Sequence, residues 1–479
     1  MKSEIRDMKV DLVVIGAGSG GLSIASGAAQ LGLSVVLYEK GDMGGDCLNT
    51  GCVPSKALIH AGKLAQSMRD SEKFGISATT PQVDWPQVKA HVHDVIEQIA
   101  PVDSQERFEG LGCIVIREHA RFADKNTVVS DSTRVKARRI VIAAGSRAVV
   151  PPIPGLNDAP YLTNETLFDI DELPEHLIIL GGGPIGMEMA QAFLRLGSRV
   201  TVIEMEKALG RADQGHARQA VAALTAEGVN ILEGHKASKV SGGAGAITVS
   251  TQSEAGETVV TGSHLLLALG RTPNVEQLGL EEGGVSFNKA GIVTKDNLRS
   301  VSNSKVWAVG DIAGRGQFTH LAGWHASIFV QGALMKLPAK AVTAAFPAVT
   351  YIQPELAQVG MTEDEARKTH GDKVKISEFP FHENDRAIAE RSTEGSAKLI
   401  IGQGDKILGA SIYGEGAGDI LQIIAYAMAN GQKMRSLTSH ISPYPTRAEV
   451  VKRAASLYFQ PKVFGGAMKR AVSILQRIP

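Results

Sequence analysis

Three observations predict an α/β fold with two Rossmann-like dinucleotide-binding domains; segments further along the chain lead to the expectation that an α+β C-terminal domain follows. A strand–turn–helix–strand pattern occurs twice, and the second copy lies 165 residues after the first without a gap. Each turn reads Gly-x-Gly-x-x-Gly, as Gly16, Gly18, Gly21 and as Gly181, Gly183, Gly186. Each copy then ends on a glutamate, Glu39 or Glu204, 23 residues after its first glycine.

Within each copy the elements follow from residue type. VDLVVIGAG and HLIILGGG are short β-forming runs that enter a glycine turn, and Ala/Leu-rich helical stretches follow. Both helices reach Leu-Gly (Leu31-Gly32, Leu196-Gly197) before a second β-branched run. This is a βαβ unit. The first glycine permits the tight turn, the second lets backbone approach a pyrophosphate, and the third lets helix pack close to strand. The helix N-terminus then points its amides at the phosphates, while Glu39 and Glu204 are placed to accept from ribose hydroxyls. Two such sites imply two dinucleotides. A flavoenzyme that passes hydride between a nicotinamide and FAD needs that arrangement.

GGDCLNTGCVPSKAL follows the first unit and carries Cys47 and Cys52. In a regular helix, residues five apart have Cα atoms roughly 8–9 Å apart. That exceeds the ~7 Å over which a disulfide can form. If the two cysteines pair, the segment is bent, and Asn49, Thr50 and Gly51 suit a bend before a helix. A resident metal site lacks further ligands here, since Cys113 is distant and lies in an apolar run. The choice between a buried structural pair and a redox-active pair is weighed by context. Beside a flavin unit, in a chain with no other need of disulfides, redox chemistry is favoured.

Composition narrows the class. The 479 residues suggest about three domains of ~150 residues. Lys plus Arg is 50 and Asp plus Glu is 50. That balance argues against a bulk nucleic-acid binder or a protein held on anionic lipid by charge. Three cysteines exclude a disulfide scaffold and point to a reducing compartment. No apolar run approaches the ~20 residues of a membrane span. A cytoplasmic enzyme with no membrane or nucleic-acid partner is the expectation.

GGDCLNTGCVPSK resembles the active-site sequence of the class I pyridine nucleotide–disulfide oxidoreductases, in the branch of dihydrolipoamide dehydrogenase and mercuric reductase. The resemblance runs along the chain. RIVIAAGSRAVVPPIPG is similar to the crossover out of the FAD domain, LLLALGRTPN to the return, and VWAVGDIAG to the second FAD motif. The region from about Phe346 resembles the family's dimerisation domain. The implied domains are 1–150 and 276–345 for FAD, 151–275 for NAD(P), and 346–479 for a homodimer interface. Lys40, Gly45, Ala144, Gly145, Gly270, Arg271, Gly310 and Asp311 join the glycines and glutamates above as implied cofactor contacts. Asp311 would hold the ribityl chain.

By the same resemblance, Cys52 is the thiol nearest the flavin and Cys47 the interchange thiol that meets substrate. Lys56 would sit by flavin N5, paired with Glu188. Electrons would pass from NADH to FAD and then to the Cys47–Cys52 pair. Glu204 would repel a 2′-phosphate, which favours NAD; Arg199 and Arg211 flank it and leave NADP open.

The family's proton-shuttling His-Pro-Thr-x-x-Glu is here Tyr444-Pro445-Thr446-Arg447-Ala448-Glu449. An unperturbed tyrosine has a pKa near 10, a poor match to proton transfer at neutral pH. Tyrosine at this place is similar to mercuric reductase, whose substrate is a thiolate-bound metal ion. The C-terminal cysteine pair of those enzymes is missing from FGGAMKRAVSILQRIP, and no metal-binding domain is expected before the FAD motif. The leading expectation is reduction of a metal ion such as mercuric ion, or of another small acceptor. The alternatives are a dihydrolipoyl dehydrogenase acting on a lipoyl group or carrier protein, and a flavin redox sensor or structural subunit that does not turn over. The helix expected over Lys89–Phe108 and the sheet segments expected at FPFHENDRAIAE and STEGSAKLIIG rest on apolar spacing. GDILQIIAYAMANGQKM reads as a helix closed by Gly431.

Overall fold

The first strand, Arg6–Ile15, is buried on both faces from Leu12 onward. That pattern belongs to a central strand covered on two sides. In the computed structural model, which describes residues 5–478, it is flanked in parallel by Val35–Tyr38 and Thr133–Ile142. Cys113–Ile116 extends the sheet beyond Val35–Tyr38. Thr127–Val129 and Arg121–Asp124 add antiparallel on the far side of Thr133–Ile142. The seventh strand, Val306–Ala308, returns from much later in the chain to pair with Ile140–Ile142. This return makes the first domain discontinuous and brings Asp311 to the sheet that holds Gly16.

The second βαβ unit forms a four-stranded parallel sheet in the order Asn230–Glu233, Arg199–Glu204, His176–Leu180, His264–Leu267. A three-stranded antiparallel layer over residues 236–262 covers it. Two short antiparallel strands, Ser146–Ala148 and Arg271–Pro273, carry the chain out of the first domain and back. The last domain is a five-stranded antiparallel sheet against the helices Ala417–Ala429 and Glu449–Val463. Ala397, Leu399 and Ile401 meet Ile424, Val451 and Ala454 in its core. No helix among the described residues is long and apolar enough to cross a membrane.

Two expectations need correction. The helix expected over Lys89–Phe108 is two helices, Trp85–Asp103 and Gln105–Gly110. Ser104 interrupts them with extended backbone, and its hydroxyl accepts from Arg107 N. A serine that caps its own helix ends the preceding one. FPFHENDRAIAE is not a sheet segment beyond Phe379 and Pro380. Asn384 accepts from Ala387 N and starts the helix Asp385–Ala389. STEGSAKLIIG does contain a strand, Ser396–Ile401. The helix Ala417–Ala429 ends at Asn430, and Gly431 follows at φ +63° in the left-handed region that favours glycine.

One helix contact positions the chemistry. Helix Cys52–Arg69 crosses helix Pro184–Leu196 so closely that a Cβ on Gly62 would lie 3.2 Å from Ala192 O. Arg69 ties the far end by donating to Arg195 O at 2.8 Å. Leu58, Met187, Met189 and Phe193 are buried in the same cluster. Each such side chain contributes roughly 1.5–3 kcal/mol on burial.

Candidate active site

The segment between the cysteines bends as their spacing requires. Cys47 lies in the short helix Gly45–Asn49, and Cys52 is the first residue of helix Cys52–Arg69. At Gly51 a Cβ would sit 2.8 Å from Asp46 O, so the chain doubles back where only glycine fits. Side chains hold the bend. Asn49 Nδ2 donates to Met43 O at 3.0 Å and Gly45 O at 2.9 Å, and Thr50 Oγ1 donates to Asp46 Oδ1 at 2.9 Å.

Both cysteines are free thiols here, Cys47 half-buried and Cys52 exposed. They are hydrogen-bonded to each other, and the proton rests on Cys47. That bond is the largest cause lowering the Cys52 pKa to about 6; Thr319 and the Lys56 charge add to it, against burial and Glu188. Cys52 Sγ is 3.2 Å from Thr319 Oγ1. Cys47 is pushed up by donating to Cys52 and by burial. The first-turn position of Cys52 also favours its thiolate through the helix dipole. Cys113 is buried in the strand at one edge of the first sheet, its thiol pushed up to about 11 by burial alone.

Lys56 follows one turn after Cys52. Its Nζ is 2.8 Å from Glu188 Oε2 and 4.4 Å from the centre of the Tyr351 ring. Glu188 is 5% exposed, and its other oxygen accepts from Tyr351 N at 2.9 Å. One carboxylate thereby joins the cysteine helix, the second βαβ unit and the start of the C-terminal domain.

The two glycine turns match atom for atom. Gly16 (φ +103°) and Gly181 (φ +109°) adopt backbone that disfavours side chains, each with a carbonyl 2.4 Å from where a Cβ would stand. A Cβ on Gly21 or Gly186 would lie 1.9 or 2.0 Å from the carbonyl of its turn's first glycine. By contrast, a Cβ on Gly183 would meet nothing within 4 Å, and one on Gly18 only Gly45 Cα at 3.9 Å. Both turns thus offer open space at a helix N-terminus, which fits a pyrophosphate. The glutamates brace these turns: Glu39 accepts from Ala17 N and Glu204 from Gly182 N, both at 2.7 Å. Each retains lone pairs for a ribose hydroxyl. Lys40 is exposed beside Glu39. Arg199 pairs with Glu175 rather than turning to Glu204.

The remaining cofactor positions meet at the crossover. Ala144 O accepts from Asn274 Nδ2 at 2.8 Å, and Gly145 O from Asn274 N at 3.1 Å. Gly270 O accepts from Val149 N at 3.0 Å, and Arg271 Nε donates to Ser146 Oγ at 2.8 Å. Ser146 Oγ in turn donates to Asp311 Oδ2 at 2.6 Å. Arg271 also pairs with Asp46. Burial pushes the Asp311 carboxyl up, against Ser146 and Arg271. Gly310 N donates to the fully buried His325 Nδ1 at 3.3 Å, and His325 Nε2 is left without a partner. These features fit FAD.

Tyr444 and Glu449 do not reach the cysteines within one chain. The Tyr444 hydroxyl donates to Asp385 Oδ2 at 2.9 Å, while Glu449 pairs with Arg453 at 3.2 Å. Tyr444 is 69% exposed, and its acceptor Asp385 pushes its pKa further up. Sequence reasoning missed Thr319, Tyr351, Ser146, Asp46 and Asp385. Asp46 and Ser146 lie inside the cysteine and crossover motifs but bond to Arg271 from a distant segment, and Thr319, Tyr351 and Asp385 lie in no motif.

Comparison with known proteins agrees with this geometry. The family pyridine nucleotide-disulphide oxidoreductase matches residues 10–326, and that family's dimerisation domain matches residues 346–455. Mercuric reductase from Staphylococcus aureus is 32% identical over 452 residues, covering 94% of this chain and 82% of that protein. Mercuric reductase from Streptomyces lividans is 33% identical, covering 94% and 96%. Dihydrolipoyl dehydrogenase from Staphylococcus aureus is 32% identical with the same coverage, 94% and 96%. Among solved structures, the HOCl-induced flavoprotein disulfide reductase RclA from Escherichia coli aligns at TM-score 0.83 and 27% identity, covering 93% of this chain and 99% of that one. Its Cu(II) complex aligns at TM-score 0.81 and 27% identity, covering 92% and 99%. The repeat, the cysteine bend and these matches together place the chain in the pyridine nucleotide-disulphide oxidoreductases, enzymes that use FAD and NAD(P)H.

Proposed function

We propose that this enzyme is an NADH-dependent reductase of a thiophilic metal ion, with mercuric ion as the leading substrate. The observation that carries the reading is that one thiol of the pair, Cys52, is poised for ionisation, whereas the tyrosine standing where the family has its proton-shuttling histidine is not. Cys52 falls to about 6, whereas Tyr444 moves above its ordinary value. A dithiol substrate needs a base that exchanges protons near neutral pH. A metal ion needs sulfur donors, which two cysteines supply. The mercuric reductases among the relatives, and the copper complex formed by RclA, support a metal substrate.

FAD, when bound, would relay the electron pair of the nicotinamide to the cysteines. The chain's own residues divide the remaining work. Cys47 binds the incoming ion, Cys52 holds a thiolate behind it, and Lys56 places a cation where reduction builds negative charge. Glu188 keeps that cation oriented, and Thr319 donates to the Cys52 thiolate. Glu204 favours NAD over NADP, because a carboxylate repels a 2′-phosphate. The matched dimerisation domain supports a homodimer in which Tyr444 and Glu449 serve the partner's site. The sparse cysteines support a cytoplasmic setting.

A dihydrolipoyl dehydrogenase remains the second reading, because relatives of that name match equally well. Tyr444→His separates the two. On the metal reading the variant gains dithiol turnover from a negligible start. Substantial wild-type dihydrolipoamide turnover, raised further by the histidine, would favour the second reading.

A further inference from the structure

The segment 464–478 lies beyond the matched dimerisation domain, which ends at residue 455. It forms the helix Gly466–Leu475, with no buried residue. Gly465 and Gly466 separate it from helix Glu449–Val463, which packs on the C-terminal sheet through Val450, Val451, Ala454 and Ala455. At about 100° per residue, Met468, Ala471 and Leu475 fall on one side of this helix, with Val472 and Ile474 at its margins. The large members of this face are well exposed, Met468 at 45%, Leu475 at 59% and the marginal Ile474 at 61%, and Phe464 and Ile478 just outside the helix are exposed too. Lys469, Arg470 and Ser473 occupy the other side, and Gln476 and Arg477 follow the helix.

Charge identifies what this face meets. The chain as a whole carries no net charge, yet no Asp or Glu occurs after Glu449, while six Lys and Arg do. Arg453 and Lys462 are paired, with Glu449 and Asp405. Lys469, Arg470 and Arg477 pair with no carboxylate among the described residues, although the chain holds as many acids as bases. An apolar stripe flanked only by cations is complementary to an anionic lipid surface, where the stripe enters the acyl boundary and the cations meet headgroups.

We propose that the helix Gly466–Leu475, with its flanking residues, is an interfacial helix that holds the enzyme on anionic membranes. The helix lies in the plane of the surface and does not span it. The overall charge balance that argued against lipid attraction conceals this local asymmetry.

The test is flotation of the FAD-loaded full chain with phosphatidylcholine vesicles, and with phosphatidylcholine mixed with phosphatidylserine. Binding to the mixed vesicles alone is expected, with loss of binding near 1 M salt. The triple variant Lys469→Gln/Arg470→Gln/Arg477→Gln should partition roughly 100-fold less, about 5-fold for each cation removed. Leu475→Glu should also detach the protein, and both variants should keep wild-type NADH oxidation and oligomeric state. Equal binding to both vesicle types, binding that survives the triple variant, or no binding at low salt would overturn the proposal. So would a change of oligomeric state in Leu475→Glu without loss of lipid binding, which would assign the face to a second copy of the chain.

Discussion

Cys52 and Cys47 have the same side chain and opposite tendencies, and the difference lies in who donates to whom. With Cys47, Thr319 and Lys56 all favouring the Cys52 anion, a depressed pKa of about 6 follows. In the reduced, FAD-loaded enzyme the thiolate–flavin charge-transfer band should therefore fade as pH falls, with a midpoint near 6. Cys47→Ala removes the donor in the largest of these stabilising contacts. Its midpoint should move upward. Cys52→Ser should abolish the band while FAD stays bound; a band that survives would remove Cys52 from the flavin side. This residue-level chemistry was partly legible in sequence. The cysteine spacing demanded a bend and the glycine at 51 supplied it, but Thr319 and Tyr351 come from distant segments that no local motif joins to the cysteines.

At the level of elements, the two glycine turns make different demands at their second and third positions. Gly186→Ala places a Cβ 2.0 Å from Gly181 O and must displace helix Pro184–Leu196 from its strand. Gly183→Ala places one in open space. Thermal unfolding should accordingly drop for Gly186→Ala and stay near wild type for Gly183→Ala, while both lose nucleotide affinity. Unaltered NADH affinity in Gly183→Ala would show that the pyrophosphate does not lie there. A second junction, unseen in sequence, docks the NAD-domain helix Gln214–Glu227 onto the C-terminal sheet. Lys398 Nζ is 2.9 Å from Asp213 Oδ1, with both side chains buried, and His216 lies between Ser411 and Ser396. Lys398→Ala strands Asp213 and should cost about 3 kcal/mol of stability. Asp213→Asn/Lys398→Met, which keeps the helix cap and removes both charges, should recover part of it. The Asp213 carboxyl is held below its ordinary value, despite burial, by Lys398. Its contribution is present above the unfolded carboxylate pKa near 4 and lost as pH falls through the lower folded value. The gap between wild type and Lys398→Ala should narrow below about pH 4, as urea titrations can measure.

Across the whole molecule, the parts legible in sequence are those that repeat or that backbone geometry dictates. The βαβ units announce themselves by glycines whose Cβ atoms would collide, and the return strand Val306–Ala308 by its resemblance to a second FAD motif. What escaped was decided by capping and by contacts between domains. Asn384 begins a helix inside an aromatic-rich run that looks like strand, and Glu188, whose pairing with Lys56 the resemblance implied, also accepts from Tyr351 N. Tyr444 was legible as a departure, but its bond to Asp385 instead of Glu449 was not. The central claim is that an intact thiol relay serves a metal ion because no proton shuttle accompanies it. It is tested most directly by two steady-state assays on one yellow preparation: NADH oxidation with mercuric ion in excess thiol, and NAD reduction by dihydrolipoamide. The account predicts metal-stimulated NADH oxidation that vanishes in Cys47→Ser and Cys52→Ser, beside negligible dihydrolipoamide turnover. Fast dihydrolipoamide turnover without metal-stimulated oxidation would contradict it.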